Sequence, residues 1–161
     1  MENSSFRVVA IPTRVVEGVR ATMRSPRYGH PASEEIANGY GPCRHCLREF
    51  EVGAERRILF TYDPFTDLER LPLPGPVFVH SRACERFPET AGFPSDLRAH
   101  EITFNAYRSG RRLVAQAYGV NGEIDAQVER LLARSDVDYI HVRDTKAGCY
   151  DFRIGRAKLE R

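Results

Sequence analysis

Four residues of the chain have the types and the spacing of a metal site. Cys43 and Cys46 form a Cys-x2-Cys pair, and His80 and Cys84 form a His-x3-Cys pair after 33 intervening residues. Each spacing lets two soft or borderline donors converge on one ion from a tight loop, and a tetrahedral Cys3His set suits Zn2+. The sequence therefore predicts a structural zinc ion held by these four side chains.

Other interpretations of the same residues stay open. Cys84 can be a small buried hydrophobic residue and His80 an ordinary histidine at a strand end, with the cysteine pair free of metal. The pair can also be redox-active, although a thioredoxin-like pair follows a strand and opens a helix, whereas Gly39-Tyr-Gly-Pro precedes this one. His45 competes with His80 as the fourth ligand and would make the site more local.

A second set of reactive residue types lies on the last predicted hairpin. The alternation of its strands directs His141, Arg143, Cys149 and Asp151 away from the apolar face, and pairing across a five-residue loop puts His141 opposite Asp151. A carboxylate can orient an imidazole, and a thiol beside a base can act as a nucleophile. Cys149, His141 and Asp151 are therefore candidate catalytic residues, although cross-strand charge pairing on a solvated face explains them without catalysis.

The elements that must position these side chains are mostly strands. Short runs rich in β-branched and aromatic residues predict strands over five segments: Phe6–Ile11, Arg57–Tyr62, Pro76–His80, Tyr139–Arg143 and Tyr150–Ile154. Between Ser25 and Pro42, prolines and glycines predict a long loop with one helical turn at Ser33–Ala37. His80 then lies at a strand end, and the cysteine pair lies in the loop that follows Pro42.

A further hairpin is predicted from two alternating segments, His100–Arg108 and Arg111–Gly119, which Ser109-Gly110 joins as a two-residue turn. This turn predicts the cross-strand register. Opposite Ile102, Phe104 and Ala106 it places Ala117, Ala115 and Leu113.

Helical periodicity occurs in two places. Glu123–Arg134 has an apolar face and complementary charges at its ends, and a shorter helical face runs from Val15 to Met23. Strands with segregated helices predict an α+β fold, an antiparallel sheet with one or two helices packed on one face. The length of 161 residues predicts a single domain over residues 1–161.

The composition excludes several classes of function. A net charge of +2, with acidic and basic residues interspersed, makes nucleic-acid binding unlikely. No segment approaches the roughly 18 apolar residues of a membrane span, and the first residues lack a secretory signal pattern, so a cytoplasmic location is expected. In that reducing compartment, the four cysteines are expected to be thiols or metal ligands.

Four stretches of the chain resemble the bacterial domain-of-unknown-function family 1203. They are FRVVAIP, GPCRHCLREFEVGAERRILFTYDPF, GPVFVHSRACERF and YIHVRDTKAGCYDFRIGRA. The resemblance implies one domain and a bacterial origin, and it implies no activity, ligand or catalytic residue. From the residues themselves we predict a zinc-stabilised module that binds a small molecule or a protein, with a thiol-dependent enzyme using Cys149 and His141 as the alternative.

Overall fold

A computed structural model describes residues 4–39, 41–65, 75–109 and 112–157. In chain order its elements are strand β1 (Phe6–Val9), helix α1 (Thr13–Thr22), strands β2 (Ser33–Ile36), β3 (Arg56–Tyr62), β4 (Gly75–His80), β5 (Ile102–Arg108) and β6 (Arg112–Gly119), helix α2 (Ile124–Leu132), and strands β7 (Tyr139–Asp144) and β8 (Tyr150–Arg156). A short 3-10 helix covers Ser95–Leu97. The predicted strands and the two predicted amphipathic helices all occur, with ends shifted by a few residues.

The α+β prediction of one antiparallel sheet with helices on one face is wrong. Within the described residues, the strands form two antiparallel sheets, one in the order β1-β8-β7-β5-β6 and one in the order β2-β3-β4, and the helices are short. The fold is therefore mostly β. The strand patterns show which residues alternate, but they do not show which strands pair, so the division into two sheets is not visible in the sequence.

The five-stranded sheet carries the larger hydrophobic cluster. Phe104, Val142 and Phe152 are buried on one face of this sheet, where α2 contributes Val128 and other apolar residues of the predicted helical face. Gly119 ends β6 beside this cluster, and a Cβ atom there would lie 2.7 Å from the Phe104 ring, so the position requires glycine. No helix in the described part of the chain is long and apolar enough to cross a membrane.

The three-stranded sheet forms a second cluster with α1. Val16 and Val19 of α1 are buried in it together with the two cysteines that begin the predicted metal site. The predicted helical turn at Ser33–Ala37 is wrong, because Ser33–Ile36 is the edge strand β2, paired with β3. Ion pairs from two of its acidic side chains to Arg56 and Arg57 of β3 stabilise this exposed strand.

The predicted register of the β5–β6 hairpin is wrong by two residues. Phe104 pairs with Ala117 and Ala106 with Ala115, and a bulge follows before Tyr107 pairs with Leu113. A shift of two keeps every side chain between the bulge and the strand end on its predicted face. Gly110, and with it the predicted Ser109-Gly110 turn, lies outside the described residues.

The β7–β8 register also differs from the prediction. His141 pairs with Arg153 rather than Asp151, and Arg143 pairs with Tyr150. The hairpin closes by a hydrogen bond from the Asp144 nitrogen to the Cys149 carbonyl, so its loop is shorter than five residues, and a bulge at Asp151 shifts the pairing beyond it.

Candidate metal centre

Three separate parts of the chain bring the four predicted ligands together. Cys43 and Cys46 lie in a turn before β3, His80 ends β4, and Cys84 lies in the irregular segment that follows β4. Their donor atoms all lie within 4.8 Å of one another. The convergence of four donors from such separate segments confirms that these residues could hold a metal ion.

The cysteine turn directs both of its sulfurs to one side. The Cys43 nitrogen donates a hydrogen bond to the Arg48 carbonyl, and the Leu47 nitrogen donates one to the Cys43 carbonyl. Leu47 adopts a left-handed φ of 58°, which reverses the chain within a few residues. The turn is held against β4, because the Arg44 nitrogen donates to the Phe78 carbonyl.

His80 is oriented from both ring nitrogens. Its Nδ1 lies 3.3 Å from the Cys46 sulfur, and its Nε2 lies 3.3 Å from the Glu55 Oε1 atom. The Phe50 ring packs edge-on against the imidazole, with ring centroids 4.6 Å apart. A carboxylate on the far nitrogen of a ligating histidine fixes its tautomer and raises its basicity, as in many metal sites.

The sulfurs of the site also receive hydrogen bonds. The backbone nitrogen of His80 donates a hydrogen bond to the Cys43 sulfur at 3.3 Å. The Cys84 sulfur lies 3.2 Å from Nδ1 of His45 and 3.6 Å from Nη2 of Arg20. Because the Thr13 hydroxyl lies 3.0 Å from Nε2 of His45, His45 can accept from Thr13 while it donates to Cys84. The alternative in which His45 replaces His80 as a ligand is not needed, since His45 supports a ligand instead.

The short distances among these groups raise the pKa of some of them and lower the pKa of another. Hydrogen bonds with the Cys43 and Cys84 sulfurs raise the pKa of Cys46, whereas hydrogen bonds with Cys43 and Cys46 lower the pKa of Cys84. Burial lowers the pKa of His80, but hydrogen bonds with the Cys43 and Cys84 sulfurs outweigh burial and raise it to about 10. Without a cation, three thiols and an imidazole at this distance must share protons, and a divalent ion would replace those protons.

A cleft of about 550 Å3 opens beside the site. Cys46, His80 and Cys84 line it. Charged side chains of both signs also line it: Arg48, Arg82, Arg86, Glu55, Glu85 and Asp96. The candidate metal site is therefore reached from solvent through this cleft.

Arg44 connects the cysteine turn to the five-stranded sheet. Its side chain is 3% exposed and lies 2.9 Å from the Asp151 carboxylate, whose side chain is 4% exposed. The same guanidinium donates to the carbonyls of Tyr150 and Pro42. Burial raises the pKa of Asp151 to about 6, although the charge of Arg44 opposes that rise.

The second candidate set is not brought together as predicted. His141 is buried, and four aromatic rings surround it with centroids at most 5.2 Å away: Phe65, Tyr107, Tyr139 and Tyr150. Asp151 forms its ion pair with Arg44. Cys149 is partly exposed, and its sulfur donates to the Ala147 carbonyl at 3.8 Å. The register on which the catalytic set depended is wrong, while the catalytic roles themselves stay a prediction.

We expect Cys149 to show no unusual reactivity toward an alkylating reagent. The contact described for its sulfur is a long one to a carbonyl acceptor, which does not stabilise a thiolate. The pH dependence of iodoacetamide labelling, read by mass spectrometry at each cysteine, measures its pKa. A labelling midpoint well below about 7 that rises to the free-thiol range near 8.5 in His141→Ala would instead support the thiol enzyme.

Sequence reasoning missed the residues that surround the ligands. Glu55, His45 and Arg20 each contact a ligand atom, yet they come from three different parts of the chain. His45 was visible from the sequence as a nearby donor and was considered as an alternative fourth ligand. Glu55 and Arg20 gave no signal, because charged side chains at such separations become neighbours only through the fold.

The comparisons with known proteins give one result. A family model described as a protein of unknown function (DUF1203) matches residues 40–156, which include all four ligands and β8. No curated protein and no solved structure gives a significant match. The family model therefore covers the candidate site and brings no recorded activity with it.

Proposed function

The chain belongs to the DUF1203 family, and from that premise we propose that it is a binding module stabilised by a structural zinc ion. One observation carries the metal part of this proposal. Four donor atoms from three separate segments lie within 4.8 Å of one another. Three sulfurs and one imidazole nitrogen form the donor set that Zn2+ prefers in tetrahedral structural sites.

The surroundings of the four residues fit such an ion. Three thiolates and a neutral imidazole around Zn2+ leave a formal charge of about −1, which hydrogen bonds from His45 and Arg20 to the Cys84 sulfur can offset. Glu55 holds the imidazole so that its Nδ1 faces the sulfurs. Four protein ligands close the coordination sphere, so the ion would stabilise the fold and leave no open position for a substrate.

Elemental analysis tests the metal part of the proposal. Protein purified without chelator should contain about one zinc per chain, since the part of the chain that the structure describes offers one Cys3His set. Cys149→Ser should keep this stoichiometry, because Cys149 lies outside the set. Metal-free protein, or a different metal at full occupancy, would contradict the zinc assignment.

The binding part of the proposal rests on the cleft. Its volume of about 550 Å3 falls within the range of small-molecule sites. Arg48 and Arg86 offer guanidinium groups there, while Glu85 and Asp96 offer carboxylates. Both signs of charge in one cleft suit a zwitterionic small molecule such as a free amino acid, which can place each of its charges beside an opposite one.

An NMR titration with free amino acids tests the binding part. We expect shifts of the amide signals at Cys46, Arg48 and residues 83–87, which line the cleft. Arg48→Ala should weaken binding about tenfold or more, because it removes a charged hydrogen-bond donor. Arg14→Ala, on the exposed face of α1, is the matched control. The absence of any shift with each of the common amino acids would contradict the ligand class without affecting the zinc assignment.

The thiol enzyme stays the alternative function, and no contact described for Cys149 or His141 favours it. Both functions suit a cytoplasmic location, which we propose because all four cysteines are free thiols in the structure.

A further inference from the structure

We propose that Cys84 is an oxidative modification site, at which a peroxide that enters the cleft converts Cys84 and Cys46 into a disulfide and releases the metal. The inference rests on the proposed zinc ion. The site would then undergo a reaction with a small hydroperoxide in addition to stabilising the fold.

Cys84 is the most accessible of the four candidate ligands. Cys43, Cys46 and His80 are 0%, 8% and 5% exposed, whereas Cys84 is only partly buried and lines the cleft. A metal-bound thiolate remains a nucleophile, and oxidation of cysteine follows thiolate character and exposure. Among the four ligands, Cys84 is therefore the one that a small solvent-borne oxidant reaches most readily.

The second argument is the surroundings of the Cys84 sulfur. Nδ1 of His45 lies 3.2 Å from it, and Nη2 of Arg20 lies 3.6 Å from it. These donors stabilise the thiolate form of Cys84 when the sulfur leaves the metal. Cys149 offers a comparison within the same chain, since it is also partly exposed but its sulfur contacts a carbonyl acceptor.

The third argument is the position of a resolving thiol. Cys46 lines the same cleft, and its sulfur lies within 4.8 Å of the Cys84 sulfur. A disulfide needs the sulfurs about 2.05 Å apart, so one of them must move. Cys84 can move, because residues 83–88 have no regular secondary structure. Cys43 is less suited, since it is fully buried and its sulfur accepts the His80 N–H.

The chemistry balances without a further reactant. The Cys84 thiolate attacks one peroxide oxygen, the S–O bond forms, the O–O bond breaks, and the second oxygen leaves with a proton from solvent as water or an alcohol. The Cys46 thiolate then attacks the sulfenic sulfur, the S–S bond forms, and the sulfenic oxygen leaves as hydroxide. Two thiolates lose two electrons in total, and the peroxide gains them. The zinc ion loses two of its four ligands and dissociates.

The test uses the zinc-loaded full chain and hydrogen peroxide. A chromogenic chelator follows zinc release, thiol counting follows the loss of two thiols, and non-reducing peptide mapping identifies the linkage. We expect loss of the bound zinc together with a Cys46–Cys84 disulfide, and rebinding of zinc after reduction. The Cys149→Ser variant should give the same result, which excludes a role for that thiol.

Cys84→His is the decisive variant, because it removes the accessible sulfur and keeps a metal donor. It should retain zinc at peroxide concentrations that empty the wild type. If the variant fails to bind zinc, the peptide map of the wild type decides. Retention of zinc by peroxide-treated wild type, or a disulfide that joins any other pair, would overturn the inference. Protein that never contains zinc would instead contradict the proposed function before peroxide is added.

Discussion

Zinc-free protein is expected to melt far below the zinc-loaded protein. The candidate ligands come from the cysteine turn, the end of β4 and the segment after β4, so an ion would add to the hydrogen bonds that already connect these parts of the chain. A site that is absent from the unfolded chain adds its binding free energy to folding. We expect a loss of about 5 kcal/mol, which corresponds to a fall in Tm of roughly 10–20 °C for a chain of this size.

Chelation and ligand variants should give the same result. Cys43→Ser and Cys84→Ser should each lower both the zinc content and the Tm, and chelator should then have little further effect. Cys149→Ser is the matched control, because it removes a partly exposed thiol outside the site and should leave both quantities unchanged. Unchanged melting after complete removal of zinc would show that the ion does not stabilise the fold.

The four candidate ligands could be predicted because metal chemistry restricts residue types and spacing. Cys43 and Cys46 needed no knowledge of the fold, since a Cys-x2-Cys turn directs two sulfurs to one side by itself. The pairing of that turn with His80 and Cys84 was an inference about tertiary structure, and the convergence of the donor atoms bears it out. The donors around the ligands could not be predicted, since nothing local connects Glu55 or Arg20 to the site.

The sheet architecture was harder to predict than the strands. Alternation identified β5 to β8 and most of their buried faces, because side-chain direction depends only on local geometry. The exposed strand Ser33–Ile36 has no apolar alternation and exists because it pairs with β3. Missing it concealed the second sheet, and with it the correct fold class.

A bulge and a different pairing beside the turn together explain why each hairpin register was wrong by two residues. A bulge inserts one unpaired residue into a strand and leaves little trace in the sequence. The bulge at Asp151 matters most, because it takes this carboxylate away from His141 and leaves it beside Arg44. The observed register therefore lacks the predicted catalytic pairing of His141 with Asp151. In its place the structure has a buried ion pair between Asp151 and Arg44.

Arg44→Met is expected to destabilise the protein by about 3–5 kcal/mol, the usual result of removing one partner of a buried ion pair. The variant leaves the Asp151 carboxylate without its ion-pair partner and the carbonyls of Tyr150 and Pro42 without their donor, and methionine cannot replace the guanidinium. Arg48→Met is the matched control, since Arg48 lies four residues further along on the surface, where substitutions usually change stability by less than about 0.5 kcal/mol.

The pH dependence of this deficit identifies its origin. Burial raises the pKa of Asp151 from about 3.8 to about 6. The protonated carboxyl group therefore makes its full contribution to the free energy of unfolding below about pH 4, and this contribution is lost as the pH rises through 6. In Arg44→Met the pKa should rise further, because the opposing charge is gone. The variant therefore continues to lose stability above pH 6, where Asp151 of the wild type has already ionised.

Urea unfolding of wild type, Arg44→Met and Arg48→Met at pH 5.5 and pH 8, with zinc content measured for each sample, tests this expectation. The deficit of Arg44→Met should be larger at pH 8, while that of Arg48→Met should not change, so effects of pH on zinc binding cancel in the comparison. Equal deficits of Arg44→Met at both pH values would show that Arg44 acts through its two carbonyl acceptors alone. A loss of zinc confined to Arg44→Met would show that Arg44 stabilises the protein through the neighbouring candidate ligands. It would contradict the role of Arg44 in joining the cysteine turn to β8.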